Sequence, residues 1–353
     1  MTTQQRTVPP GRIRRGPSTL AGAVALTAAL ALAGPAWGAC ATGYADLGTL
    51  AGGSLSGAFD VNNGGTVVGY SDQSQGLTRA TRWDQDGIAT DLGTLPGDTQ
   101  SYAYTISDNG ATTVGRSLDA DGTARPVRWD ADGAISELPT PVGTRVSRAY
   151  SVNDSGVVIG FRSGTDGLYH AVRWSPAGEL RELEELPGDN ASSAGWINAE
   201  GRTVGYSQAP DGTSHAVVWK PDGAVTELSS LPGHDGSQAS SISDTGIIVG
   251  NSYTGDDSHA VRWDPEGDIE ELPALPGDTG AAAYGVNADG TVIGFSSTAG
   301  GLHRAVRWSP DGRITELKTA TASAAEAFGV NDLGAVAGFA TDGGQSHAAL
   351  WRD

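Results

Sequence analysis

Seven side chains that can carry positive charge recur once per repeat. Arg79, Arg125, His170, His215, His259, Arg304 and His347 each stand four residues before a tryptophan. Turned toward one channel, such a ring would bind an anion. It would not hold a metal, because a guanidinium has no lone pair to offer. Strict recurrence favours a plainer use, one structural hydrogen bond within or between repeats. A second series, Arg82, Arg128, Arg173, Arg262 and Arg307, directly precedes the tryptophan, with Val218 and Leu350 in two copies. These read as packing arginines, paired with carboxylates at the repeat starts such as Asp91 or Glu137.

Binding chemistry is expected where the repeats differ, because variation on a rigid scaffold is where recognition sits. The variable links carry Asp98, Asp189 and Asp278, and variable loops carry Asp119, Asp121, Asp211, Asp256 and Asp257. Calcium is the one cofactor such loops suggest. It needs six to eight oxygens, however, and no complete Asp-x-Asp-x-Asp-Gly loop is present. A solvated acidic surface, with Asp and Gly placed for turns, accounts for the same residues, and no metal site is assigned. Other departures from the repeat are His234 and Asp235, Trp196, Ala320 to Ala325, and the stretch from Thr140 through Arg145 and Arg148. Arg145, Arg148, Tyr169 and Trp196 together could form a sugar-binding corner, aromatic and cationic. No Gly-x-Ser-x-Gly elbow, His-Glu-x-x-His pair or phosphate loop occurs, so no catalytic residue is assigned.

The elements that must position these groups are short strands. The tryptophans Trp83, Trp129, Trp174, Trp219, Trp263, Trp308 and Trp351 are 43 to 46 residues apart. Each ends an alternating stretch such as His170-Ala171-Val172-Arg173-Trp174, whose side chains point to opposite faces in turn. Turns such as Lys220-Pro221-Asp222-Gly223 fold the chain back, with proline fixing φ and glycine accepting a positive value. A second hairpin follows in each repeat, for example Ala149 to Val152, the turn Asn153-Asp154-Ser155-Gly156, then Val157 to Phe161. A glycine recurs inside its returning strand (Gly69, Gly115, Gly160, Gly205, Gly250, Gly294, Gly338). Glycine in a strand implies close packing over it, and the repeat tryptophan is the expected neighbour.

Four strands per period of about 45 residues, without helices, is the pattern of propeller blades. The periods start at Asp46, Asp91, Glu137, Glu182, Glu227, Glu271 and Glu316, which predicts an all-β, seven-bladed β-propeller over residues 42–353. The sequence stops just after the last tryptophan, and an unmatched strand copy, Asp46 to Leu50, stands near the start. Its pairing with the last blade would close the ring and remove two sheet edges.

Residues 1–41 are different material. Four arginines precede an apolar run from Leu20 to Ala33, shorter than a membrane helix needs, and Ala39-Cys40-Ala41 offers an A-x-A cleavage site. This reads as a secretory signal peptide. Lipidation of Cys40 is the less favoured alternative, because Trp37 stands where a lipoprotein signal usually has leucine. Removing residues 1–41 leaves 18 basic residues against 41 acidic ones and a net charge of −23. That balance argues against nucleic acid, whose binding rests on Lys and Arg, and against anionic membranes.

The His-Ala-Val-Arg-Trp stretch, the Asn-Asp-x-Gly turn and the Leu-Pro-Gly-Asp link (as at Leu186 to Asp189) together resemble the HAF repeat of probable extracellular, largely bacterial proteins. Valine replaces phenylalanine as the third letter at Val172, Val217, Val261 and Val306. The resemblance implies secretion and a repeat fold, and no defined activity. The expectation is a secreted, monomeric, non-catalytic module whose acidic loop face holds an extracellular protein or polysaccharide. The alternative is a carbohydrate-active lyase or hydrolase with its site at the channel mouth.

Overall fold

A computed structural model of the chain describes residues 43–74, 76–255 and 257–352. The expected signal peptide with Cys40 lies outside them, as does Asp256. The described residues form 28 strands and no helix. The strands assemble into seven four-stranded antiparallel sheets, the blades of a β-propeller.

Blade 1 runs from axis to rim through Ser56–Val61, Val67–Asp72, Thr78–Trp83 and Ala89–Asp91. Blades 2 to 6 repeat this order, with inner strands Gln100–Ile106, Ser147–Val152, Ala191–Ile197, Gly236–Ile242 and Gly280–Val286. Blade 7 takes Ala324–Val330, Val336–Asp342 and Gln345–Arg352 from one end of the chain, and its outer strand, Gly43–Asp46, from the other. The register runs from Gly43 opposite Arg352 to Asp46 opposite Ala349. The ring therefore closes through the two ends. The paired stretch lies just before the expected Asp46 to Leu50, because the chain turns toward blade 1 once the Leu47 N–H has bonded the Ala348 carbonyl at 2.8 Å.

The core is not one mass but seven layers, each between two neighbouring blades and each holding one repeat tryptophan. In the layer between blades 1 and 2, Val68 and Ala80 meet Leu92, Leu95, Ala103, Ile106, Val127 and Trp129. The indole N–H then reaches back across the layer. Trp129 donates to the Leu92 carbonyl at 2.7 Å, Trp174 to Pro139 at 2.7 Å and Trp219 to Glu184 at 2.7 Å. Trp263, Trp308 and Trp351 do the same to Ser229, Pro273 and Lys318. Trp83, at the seam between blades 7 and 1, finds no acceptor among the described residues. Burying one such ring, 150–250 Å² at about 25 cal/mol per Å², contributes at most about 4–6 kcal/mol.

Two expectations are corrected here. The strand glycines do not lie beneath the tryptophans. Each pairs with a β-bulge on the inner strand of its own blade, and a Cβ would strike backbone. At Gly160 it would stand 1.9 Å from the Arg148 carbonyl oxygen, and at Gly69 2.0 Å from that of Gly57. The arginines before the tryptophans do pack blade to blade, but onto backbone rather than Asp91 or Glu137, although Arg262 also keeps an acid near its repeat start, Glu270. Arg82 donates to the Ala131 carbonyl at 3.0 Å, Arg128 to Pro176 at 3.2 Å and Arg262 to Pro310 at 2.9 Å, each in the next blade.

The Asn-Asp turns build a second seam around the axis. The Asn153 amide donates to the Asn198 carbonyl, Asn198 to Ser243, Asn287 to Asn331, and Asn331 across the closure to Asn62. This explains why the turn motif recurs, and it holds the inner strands in fixed relation.

Candidate functional site

The β-bulge that demands each glycine also aims a side chain at the axis. Every inner strand shifts register at the same place, between Ala58 and Asp60 in blade 1 and between Ala194 and Trp196 in blade 4. The extra residue is Phe59, Tyr104, Tyr150, Gly195, Ser240, Tyr284 and Phe328 in blades 1 to 7. Five are aromatic and touch in sequence around the axis. Ring centroids are 5.3 Å apart for Tyr150 and Tyr104, 5.6 Å for Tyr104 and Phe59, 5.9 Å for Phe59 and Phe328, and 5.2 Å for Phe328 and Tyr284. The collar is broken at blades 4 and 5, where glycine and serine stand.

A cavity of about 130 Å³ occupies that break. Tyr150 and Tyr284 bound it on either side, and Ser193, Trp196, Tyr206, Gln238 and Ser240 line the opening. An apolar cavity of about 150 Å³ takes one benzene ring, so this one suits a single ring. Few polar groups on a mainly aromatic wall is the usual make-up of a small-molecule site. Gln238 is held by its own bonds, its amide donating to Ser214 Oγ at 3.1 Å and its carbonyl oxygen accepting from the Tyr253 hydroxyl at 3.4 Å. Burial raises the phenols of Tyr104, Tyr206 and Tyr284. They are neutral at pH 7 and offer hydroxyl groups rather than charge.

Charge enters beside the collar. The Arg116 guanidinium lies 4.5 Å from the Tyr102 ring and 5.9 Å from that of Tyr104. Arg148 lies 5.5 Å from the Phe161 ring and donates to the Tyr150 hydroxyl at 3.2 Å. His303 stacks on Phe295 at 3.9 Å, and its Nδ1 is 2.7 Å from Glu326. Deeper in blade 1, Asp60 joins two blades by accepting from the Val61 N–H at 2.8 Å and the Ile106 N–H at 3.0 Å. Burial pushes its carboxyl up to about 7, and those two donors offset this only in part.

The residues expected to bind fall into three groups. Asp98, Asp189 and Asp278 have buried side chains, paired with Arg125, His215 and Arg304 of the same repeat series. Their carboxylates tie links to blades. The other members of the basic series also bond locally: Arg79 to Asp91, His170 to Glu185, His259 to Glu271 and His347 to Asp46. None lines the cavity. His234 packs edge-on against His259 at 4.8 Å, and Asp235 accepts from the Gly255 N–H, away from the axis. Of the proposed corner, Trp196 lines the cavity and Arg148 reaches it through Tyr150. Tyr169 packs on Phe161 at 4.6 Å, behind Arg148, and Arg145 stays exposed on its link. Asp119 caps its own loop, accepting from the Asp121 and Thr123 N–H groups. Among the described residues, no group of three or more His, Cys, Asp and Glu could hold a metal ion, and no helix is long and apolar enough to cross a membrane.

Sequence reasoning missed the collar, Arg116 and His303. The signal was present in the residue after the inner-strand alanine, aromatic in five copies and small in Ala194-Gly195 and Ala239-Ser240. His303 likewise falls one place before the repeated basic position.

No protein-family model matches the chain, and no curated protein matches it in sequence. Solved structures resemble it in fold. Selenomethionine-substituted virginiamycin B lyase from Staphylococcus aureus is 16% identical with a TM-score of 0.55, over 84% of this chain and 95% of that one. TolB from Acinetobacter baumannii is 12% identical with a TM-score of 0.53, over 85% and 67%. The S511A mutant of puromycin hydrolase complexed with PGG is 14% identical with a TM-score of 0.56, over 76% and 45%. At such identity the likeness shows one thing, the propeller fold this chain shares with them.

Proposed function

We propose that this chain is a secreted, non-catalytic binding propeller that takes the end of a polysaccharide into its axial pocket. The observation that carries the reading is the break in the aromatic collar at Gly195 and Ser240, with a ring-sized cavity in it. The C–H edge of a sugar ring is weakly positive and packs against the negative face of an aromatic ring. Trp196, Tyr150 and Tyr206 supply such faces, and Gln238, Ser193 and Ser240 supply partners for hydroxyl groups. A protein partner would need a broad surface, and the acidic links that suggested one have their carboxylates buried. Secretion rests on the basic and apolar leader and on the HAF-like repeat.

Trp196 is the described tryptophan outside the repeat series, and it is only half-buried. Its fluorescence should shift on titration with a panel of oligosaccharides, and Trp196→Phe should remove the shift. A flat response across the panel would contradict the reading.

One observation favours a second reading. Five histidines have a carboxylate on Nδ1, and His303 with Glu326 is the pair outside the repeated basic series, beside the collar; such a carboxylate orients the other nitrogen as a general base. An extracellular carbohydrate-active lyase or hydrolase would use that pair. It would release product from a bound glycan and lose that ability in His303→Gln, whereas a binding module would do neither.

A further inference from the structure

Arg116 and Arg148 are unusual in this molecule. Acidic residues outnumber basic ones 41 to 22, yet neither arginine has a carboxylate partner among the described residues. Arg116 has rings beside it, and Arg148 has a ring and one phenol. The Nε atoms of both are buried without a hydrogen-bond acceptor. The two stand on adjacent blades, and both act on the same phenol, opposing the upward push of burial on Tyr104. Glu326 does not neutralise them, because its carboxylate is engaged by His303. Both side chains are half-buried, and charge drawn out of water is normally paired, since desolvating it without a partner is costly. Arg125, Arg162, Arg262 and Arg304 show the contrast, each with an acid, and Arg82, Arg128 and Arg173 have backbone carbonyls to bond.

We infer that Arg116 and Arg148 form an anion site at the edge of the axial pocket, and that the saccharide bound there is acidic, a ring carrying a carboxylate as in a uronic acid. A guanidinium presents a planar fork that matches a carboxylate. Tyr150, which bonds Arg148 and also lines the cavity, connects the anion site to the ring site. The inference rests on the pocket reading given above and adds the charge of the ligand.

The test is a pair of titrations of the full-length protein, followed by Trp196 fluorescence. One probe is a disaccharide ending in glucuronic acid, and the other is its neutral counterpart ending in glucose. The acidic probe should bind at least tenfold more tightly, and its affinity should fall as sodium chloride is raised. Arg148→Gln and Arg116→Gln should each weaken it by about ten- to hundredfold, the scale of a hydrogen bond to a charged group. Because Arg116 bonds none of the cavity-lining residues, Arg116→Gln should leave the neutral probe within about threefold, and Arg148→Lys should recover part of the acidic-probe loss. Each variant should fold, because glutamine keeps the stem and removes a half-buried charge that has no acid beside it; an unchanged or raised melting temperature of the free protein checks this. Equal affinity for the two probes, or an acidic-probe affinity indifferent to both substitutions, would overturn the anion site and leave the pocket standing. Binding of neither probe would overturn the pocket reading and this inference together.

Discussion

At the scale of the residue, each tryptophan does two jobs, and they can be separated. It fills an inter-blade layer, and in six copies its indole N–H bonds a carbonyl of the preceding link. Trp83 fills its layer without that bond. Trp174→Phe leaves the Pro139 carbonyl without its partner, whereas Trp83→Phe forfeits no such bond. Denaturant unfolding should therefore find Trp174→Phe more destabilising by about 1–2 kcal/mol; equal costs would mean that packing alone decides. Asp60 gives the molecule a pH dependence. Its carboxyl stands at about 7 in the fold against an ordinary value of 3.8. Between those values the folded state holds a proton that the unfolded state has released. The group's contribution is therefore fully present below about pH 4 and is lost as pH rises through 7. Comparing wild type with Asp60→Asn between pH 4 and 7.5 isolates it. The wild type should lose stability faster than the variant as pH rises, and parallel curves would contradict the assignment.

At the scale of the element, the β-bulge is the organising device. It forces glycine onto the neighbouring strand and turns one residue of each inner strand toward the axis. Gly160→Ala would push a methyl group into the Arg148 carbonyl, and overpacking of this kind costs about 1–3 kcal/mol. A melting temperature within a degree of wild type would show that the bulge relaxes. The strand periodicity, the four strands per repeat and the ring closure were legible because alternation and turn residues are local. The bulge was not, because an inserted residue leaves no local mark beyond the glycine opposite it. The inter-blade partners of Arg82, Arg128 and Arg262 were missed for a related reason: they are backbone carbonyls in the next blade, about one full repeat away, and have no side-chain signature. Closure itself is testable. Deleting residues 42–50 removes Ala45, Leu47 and Leu50 from the layers around blades 7 and 1, worth at least about 3 kcal/mol of burial. The melting temperature should drop by several degrees, and an unchanged value would contradict closure by the first strand.

At the scale of the whole molecule, seven near-identical blades make a scaffold, and chemistry enters where they cease to be identical. The repeated charges, which the sequence displays most plainly, are absorbed in holding blades together. Asp98 with Arg125 and Asp278 with Arg304 are the clearest cases. The asymmetric residues gather instead in and beside the axial collar: two small side chains among five aromatic ones, two arginines without acids, and the one histidine–carboxylate pair outside the repeated series, His303 with Glu326. Trp196 and Arg148 were legible as departures from the repeat, but their link through Tyr150 at one cavity depended on which strands border the axis. The most direct test of the account is to mend the collar. Ser240→Phe places at blade 5 the side chain that blades 1 and 7 already carry at this position, so the fold has a precedent for it. With an oligosaccharide that shifts Trp196 fluorescence in the wild type, the variant should keep its melting temperature and lose binding at least tenfold. Full binding by a well-folded Ser240→Phe protein would place the ligand elsewhere and contradict the axial pocket.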